Sequence, residues 1–257
     1  HTGAAAARGE WLLFTDADTE HKSLSTAAAV AYAEASDLDG LSVFPQQKTR
    51  GLLDSAVLTV AFAGLFAGLS RSTTMLNGQY VLVRREVYEA SGGFAAVRAE
   101  MMDDLAYGRL LADMGYRMPM MRGESLVNVH MYENSRQMWH GINRLGSGSL
   151  RDNGKMTMIP AIFITGCMMP IWTLLFNRHY VRKLPILWLI WVASMIGFLP
   201  WLNRIGGNRK TKNKKGLTAL GVMMVPAAAF FVQIASVWGL VSRLFGWGVS
   251  WKDRKVG

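Results

Sequence analysis

Three long apolar runs near the end of the chain constrain its fold most. Residues 157–176, 184–203 and 217–242 contain no Asp, Glu, Lys, Arg or His. About twenty apolar residues in a helix, at a rise of roughly 1.5 Å each, cross the hydrocarbon layer of a bilayer. A buried core helix is the alternative for any one run. Three such runs in succession favour a membrane domain over residues 157–257 with three spanning helices.

The distribution of charge supports a membrane protein, so the basic pI of the chain need not mean nucleic-acid binding. The 257 residues carry a formal charge of +10, and residues 157–257 hold 13 Lys and Arg against one acidic residue. Basic residues between apolar runs are typical of membrane proteins, so we expect a membrane partner and no nucleic acid. The most basic connector, 204–216, predicts that it and residues 1–156 face the cytoplasm. We expect a bacterial plasma membrane protein.

Residues 1–156 alternate between strand and helix patterns. Short apolar runs predict strands at 11–14, 41–44 (closed by a proline) and 80–83, and apolar periodicity predicts helices over 23–36 and 103–114. This alternation indicates an α/β domain with a mainly parallel sheet. A further segment at 52–69 contains one charge, Asp54, and its apolar stretch, 57–69, has thirteen residues, which is too short to span a bilayer. It predicts a helix in the membrane interface, with an ordinary core helix as the alternative.

Two carboxylates follow the first predicted strand. Asp16 and Asp18 lie two residues apart, just after the apolar run that ends at Phe14. Carboxylate oxygens suit Mg²⁺ or Mn²⁺, which often also contact substrate phosphates, so the pair predicts a metal site. Phosphatases of the haloacid dehalogenase type begin similarly, but the Gly-Thr that follows their second aspartate is missing here. Solvated aspartates in a turn are a further alternative, and His21 is a weaker candidate metal ligand.

A second acidic pair, Asp103 and Asp104, begins the last predicted helix of this region. On position alone, such residues cap the helix and interact favourably with its dipole.

The order of four motifs gives these residues a different meaning. The motifs are WLLFTDAD, NGQYVLVRREVYEASGGFAAVR, DDLAYGRLLADMGYR and MYENSRQMWHG, the last just before the apolar runs. Together they resemble the membrane-bound glycosyltransferases of family 2, and most closely those that glycosylate carotenoid acids, hopanoid precursors and ceramide. The resemblance covers nearly the whole chain. It implies a GT-A fold, a nucleotide-sugar donor (a UDP-sugar is expected) and a membrane lipid acceptor.

The resemblance also implies roles for individual residues. Asp16 and Asp18 match the positions that hold the metal and the donor diphosphate, and Asp104 matches the general base of an inverting transfer. Asp103 stands where the family usually has Glu, and Gln79 matches a position near the donor sugar and the acceptor opening. Trp139 matches the tryptophan of the motif Q/R-x-x-R-W.

The chain departs from the family pattern in two ways. Ser135 and Met138 occupy the positions of Gln/Arg and Arg in the tryptophan motif, so Trp139 is also a candidate interface anchor. This degeneracy argues against a processive polysaccharide synthase. In addition, the nucleotide-binding strands that precede Asp16 in the family are not in this sequence. We therefore expect a fragment, inactive when expressed alone. A transport component or a non-catalytic scaffold is the alternative to an enzyme.

Overall fold

The computed structural model describes residues 2–67, 75–100, 102–148, 221–247, 249–251 and 254–256, with nine isolated positions between 161 and 197. These residues group by contact into two units. The first comprises His1–Gln47 and Ser70–His130, and the second comprises Lys48–Leu69 and Met131–Gly257. The helix predicted over 52–69 thus groups with the C-terminal residues.

The helices and strands of the described residues follow in chain order. The strands are β1 Trp11–Thr15, β2 Thr19–His21, β3 Gly40–Gln47, β4 Tyr80–Arg84, β5 Met120–Val129, β6 Val249–Trp251 and β7 Arg254–Val256. The α-helices are α1 Thr2–Ala6, α2 Ser25–Ala35, α3 Leu52–Ala67, α4 Arg85–Ala90, α5 Asp103–Asp113, α6 Ser135–Gly148 and α7 Val225–Leu244. A 3₁₀ helix covers Gly93–Val97. The α/β class is confirmed, and β1, β4, α2 and α5 lie within one or two residues of their predicted bounds.

The first unit contains a five-stranded sheet in the order β1-β4-β3-β5-β2. Only β3 and β5 pair in parallel, whereas β1–β4, β3–β4 and β2–β5 are antiparallel. The prediction of a mainly parallel sheet is therefore wrong for the described strands. The reason is that β4 inserts between β1 and β3, which point the same way and are joined through α2. Strand-helix alternation in a sequence cannot reveal such an insertion.

Strand β3 continues beyond the point where the sequence predicted its end. It runs through Pro45 to Gln47, and its register with β5 shifts between Pro45 and Gln46. Proline has no N–H to donate and is tolerated in sheets at such irregularities. The residues after the shift, Gln46 and Gln47, are buried.

Helices cover both faces of the sheet. Along β4, successive side chains point to opposite faces. Val81 and Val83 pack in one apolar cluster with residues of α4 and α5, whereas Tyr80 and Leu82 pack in another with Ala33 of α2. Both faces of β4 are thus buried, which explains its uninterrupted apolar sequence.

The second unit has an apolar core in which α3, α6 and α7 meet. Its buried members come from all three helices and include Val57, Ile142 and Val232. This packing explains why 52–69 is so apolar. Strands β6 and β7 form a separate antiparallel pair.

Within the described ranges, one helix is long and apolar enough to cross a membrane, Val225–Leu244. This helix overlaps the span predicted over 217–242 and ends two residues after it. The spans predicted at 157–176 and 184–203 fall outside the described residues, apart from the isolated positions.

Candidate active site

The carboxylates that follow β1 lie in a tight turn between β1 and β2. The Thr19 hydroxyl donates to the Asp16 carbonyl at 2.7 Å, and the Thr15 and Thr19 hydroxyl oxygens are 2.6 Å apart. The backbone N–H of His130 donates to the Asp18 carbonyl at 3.1 Å. The turn is held at both of its ends, because β1 pairs with β4 and β2 pairs with the end of β5.

The two aspartates differ in exposure. Asp16 is exposed, whereas Asp18 is half-buried, and its Oδ1 is buried with no hydrogen-bond partner among the described residues. A buried carboxylate oxygen without a donor is unfavourable unless something else satisfies it. A divalent cation fits this requirement. No group of three or more His, Cys, Asp or Glu that could hold a metal occurs within the described ranges. A Mg²⁺ site often has only one or two carboxylates and completes its shell with substrate phosphates and water.

Asp104 is held at the start of α5 by backbone groups. Its Oδ2 accepts the Gly78 N–H at 3.0 Å and its Oδ1 accepts the Leu105 N–H at 2.9 Å. Asp103 is exposed, and its Oδ1 accepts the Asp104 N–H at 3.0 Å. Each aspartate thus accepts the N–H of the residue that follows it, whereas the N-cap residue, Met102, makes no side-chain capping bond. The Asp104 carboxylate is in addition tied to the segment before β4.

The antiparallel arrangement of β1 and β4 connects the two acidic pairs. Thr15, the last residue of β1, is opposite Tyr80, the first residue of β4. The Thr15 hydroxyl donates to the Gln79 carbonyl at 3.2 Å. Gln79 follows Gly78, which binds Asp104, and Thr15 precedes Asp16. Four residues singled out in the sequence are thus linked at one edge of the sheet, where β1 ends and β4 begins: Asp16, Asp18, Gln79 and Asp104.

The Gln79 side chain belongs to a group of amides that sequence reasoning missed. Its Oε1 accepts from Gln47 Nε2 and from Asn77 Nδ2, both at 3.2 Å. Asn77 stands in the NGQ motif, which could have signalled its presence. Gln47 comes from β3, and only the pairing of β3 with β4 brings it close. Between β5 and β2, the Asn128 side-chain amide donates to the Glu20 carboxylate at 3.3 Å.

His21 lies at the same edge but interacts with protein groups. Its Nε2 is 3.0 Å from the Thr15 hydroxyl oxygen and 3.3 Å from that of Thr19. Its ring lies 5.4 Å from that of Tyr80. Burial raises the pKa of Tyr80 above its ordinary value. These contacts hold His21 against the turn, and its role as a metal ligand stays a prediction.

Trp139 lies on α6 in the second unit. Its ring packs edge-on against Phe231 of α7, with centroids 5.5 Å apart. With the Asn143 amide oriented to satisfy both of its atoms, the Asn143 oxygen accepts from Trp139 Nε1 at 3.0 Å and its nitrogen donates to the Ala235 carbonyl. These contacts show how Trp139 joins two helices.

Comparison with known families places this chain in a class. The chain is a glycosyltransferase. More particularly, it belongs to Glycosyl transferase family 21, whose model matches residues 1–256. No curated protein matches the chain. The match supports a membrane-type glycosyltransferase, and it names family 21 where the order of motifs resembled family 2. Membership implies a nucleotide-sugar donor and an acceptor in general terms.

Proposed function

We propose that this protein is an inverting glycosyltransferase that moves a sugar from a UDP-sugar to a membrane lipid, with Asp104 as the general base. The observation that carries this proposal is the hydrogen bond from Gly78 to Asp104. It ties the proposed base to Gln79, whose carbonyl is bound by Thr15 beside Asp16. A GT-A arrangement of the first unit is part of the proposal.

The chemistry follows from the charges at this edge. Asp104 takes the proton from the acceptor hydroxyl while the hydroxyl oxygen attacks the anomeric carbon. The bond from that carbon to the diphosphate breaks on the opposite side, and the nucleoside diphosphate departs. Asp16 and Asp18 would hold Mg²⁺ or Mn²⁺, which supplies positive charge that stabilises the departing diphosphate. The buried Asp18 Oδ1, which lacks a donor among the described residues, supports this use.

Two findings support a lipid acceptor and a membrane location. The matched family is ceramide glucosyltransferase-like. Helix α7 is long enough to cross a bilayer, and large apolar side chains on it are exposed, including Phe230, Ile234 and Trp238. An acceptor that stays in the bilayer would meet the enzyme there. We further propose a plasma membrane location with the catalytic unit in the cytoplasm, on the basis of the basic connector 204–216.

The test is the Asp104→Asn substitution in the full-length protein. Transfer of labelled glucose from UDP-glucose to ceramide in membranes is measured together with UDP binding. We expect transfer to fall at least about 100-fold, since a positioned base contributes on the order of 10²–10⁴ to the rate, while UDP binding is retained.

Asp113→Asn is the matched control, because Asp113 is an exposed aspartate at the other end of α5. It should leave transfer unchanged. Full activity in Asp104→Asn would refute the base assignment. Bound UDP without transfer by the parent protein to any lipid offered would favour a non-catalytic scaffold.

A further inference from the structure

The side-chain amides of Gln47, Asn77 and Gln79 form a cluster, here called the amide cluster, beside the proposed site. Asn77 has a fixed orientation. Its Oδ1 accepts the backbone N–H of Gln79 at 3.3 Å, and its Nδ2 donates to the Val43 carbonyl at 3.2 Å. A backbone N–H can only donate and a carbonyl can only accept, so exchanging the two ends of this amide would break both bonds.

The orientation of Asn77 determines that of Gln79. Because Asn77 presents its nitrogen, the Gln79 atom that it meets must be the oxygen, at 3.2 Å. Gln47 Nε2 donates to the same oxygen at 3.2 Å and contacts the Pro45 carbonyl at 3.4 Å. Two donors therefore hold the Gln79 oxygen on one side. The Gln79 nitrogen points away from them and has no partner among the residues that the structure describes.

The cluster contains an unfavourable feature that packing does not explain. Gln47 is 1% exposed, and its Oε1 is buried without a donor among the described residues. Leaving a buried acceptor unpaired costs about 1–3 kcal/mol. An apolar residue of similar size would avoid this cost. What the Gln47 side chain contributes to the site is its nitrogen, which donates to the Gln79 oxygen and so fixes the orientation of the Gln79 amide.

We propose that Gln47 and Asn77 are positioning residues, which hold the Gln79 amide so that its N–H donates to a hydroxyl group of the transferred sugar. This inference rests on the proposed function, since it assumes a nucleotide-sugar donor at this edge of the sheet. A neutral amide donor suits a sugar hydroxyl, whereas a diphosphate is bound better by cations. The location of Gln79 agrees with this role. Its neighbour Gly78 binds Asp104, and its own carbonyl is bound by Thr15, the last residue of β1, next to Asp16.

The role predicts a specific pattern of ligand discrimination. A site that hydrogen-bonds a substrate hydroxyl rejects the analogue that lacks it, because a protein group is then left unpaired. The full-length protein should therefore bind UDP-glucose more tightly than one of its 2-, 3-, 4- and 6-deoxy analogues, by about tenfold.

The experiment measures the dissociation constants of UDP, UDP-glucose and the four deoxy analogues for the full-length protein and its variants. Gln79→Met should weaken UDP-glucose binding about tenfold, leave UDP binding unchanged and abolish the discrimination against one analogue. Gln47→Met should reduce the same discrimination in part. Gln47→Glu should reduce it further, because a carboxylate oxygen facing Gln79 Oε1 would turn the Gln79 amide around.

Gln46→Met is the matched control, because Gln46 is the neighbouring buried glutamine on β3 and its amide donates to a backbone carbonyl. It should keep the discrimination of the parent protein. The inference is wrong if the parent binds all four analogues as tightly as UDP-glucose. It is also wrong if the variants weaken UDP and every analogue equally, since that pattern reports structural damage. Failure to bind UDP at all would instead refute the proposed function, and this inference with it.

Discussion

At the level of single residues, Gly78 allows the backbone to approach the proposed base closely. A Cβ atom added at Gly78 would lie 3.3 Å from Asp104 Oδ2 and 3.4 Å from Asp104 Cβ. The first distance is tighter than ordinary van der Waals contact, so the carboxylate would have to move by a few tenths of an ångström. The absence of a side chain at Gly78 thus leaves room for Asp104 where it accepts the Gly78 N–H.

Gly78→Ala is therefore expected to lower the rate of transfer without unfolding the protein. Small displacements of a catalytic group are costly, and we expect a loss on the order of tenfold. The measurement is glucose transfer from UDP-glucose, with UDP binding as a check of the fold. Gly51→Ala is a suitable control, because an added Cβ there meets nothing within 4 Å. Equal rates for both variants would show that Asp104 tolerates the shift.

Tyr107 is the residue of the first unit whose ionisation is most clearly affected by burial. Burial raises its pKa to about 12, and its hydroxyl is 2.9 Å from that of Ser91. Its ring packs against Phe94 with centroids 4.6 Å apart. In the unfolded chain a tyrosine ionises near pH 10. Between pH 10 and 12 the unfolded state therefore loses a proton that the folded state keeps, so the stability contributed by Tyr107 is complete below pH 10 and lost above it.

Tyr107→Phe should weaken this alkaline dependence. The measurement is thermal unfolding of the detergent-solubilised protein from pH 8 to pH 12. At pH 8 the variant should be less stable by about 1 kcal/mol, because a buried hydrogen bond is lost. Between pH 10 and 12 the parent should lose stability more steeply than the variant, and parallel curves would contradict the assignment.

At the level of elements, the contact between α6 and α7 depends on a small residue. Gly239 of α7 faces the backbone of Asn143 in α6 so closely that an added Cβ would overlap it. The beginning of α3 is fixed separately by an ion pair of 2.7 Å between Arg50 and Asp54. Arg50 Nη1 also donates to the Glu133 carbonyl at 2.8 Å, just before α6.

Gly239→Ala should destabilise the second unit. In an unobstructed helix, replacing glycine by alanine is stabilising by about 1 kcal/mol. Here the backbone of Asn143 blocks the added atom, and we expect a net loss of about 1–3 kcal/mol. Gly197→Ala is the matched control, since Gly197 is helical and an added Cβ meets no described residue within 4 Å. Thermal unfolding in detergent measures both, and a gain in stability for Gly239→Ala would contradict the close approach.

Elements of the first unit differ in how well the sequence predicts them. Uninterrupted apolar runs signalled β1 and β4, and β4 is in fact buried on both faces. Strand β2 has the sequence Thr-Glu-His, which has no strand pattern, and it exists because it pairs with the end of β5. Strand β5 carries Arg122, Gly123 and Glu124 in its first half. Such strands are defined by their partners, and sequence patterns do not identify the partners.

At the scale of the whole molecule, α7 gives the proposed membrane location a sharp test. Ile234 lies at the middle of Val225–Leu244 and is 42% exposed, whereas Met223 lies just before the helix and is 76% exposed. If α7 spans a bilayer, a lysine at the middle costs about 2.5–3.5 kcal/mol, and one near the end reaches the interface at little cost.

Ile234→Lys is thus expected to reduce the fraction of molecules in which α7 crosses the bilayer. Met223→Lys should behave as the parent protein does. The measurement is the protease accessibility of a tag placed after Gly257 in sealed membrane vesicles, because the spans predicted at 157–176 and 184–203 could retain the protein in the membrane whether or not α7 is inserted. Equal accessibility in the two variants would show that the exposed apolar face of α7 does not lie in the hydrocarbon layer.

The sequence by itself determined the class of this protein, and it predicted which acidic residues form the site. Long uncharged runs and the order of four motifs indicated a membrane-type glycosyltransferase, and family 21 membership agrees. These features are local, since they depend on composition and spacing along the chain. The tertiary structure decided which residues meet. The insertion of β4 between β1 and β3 brings Gln79, Thr15 and Gln47 together, and the folding of α5 against this edge brings Asp104 to Gly78. Such contacts join residues 26 to 64 positions apart, so no local pattern contains them.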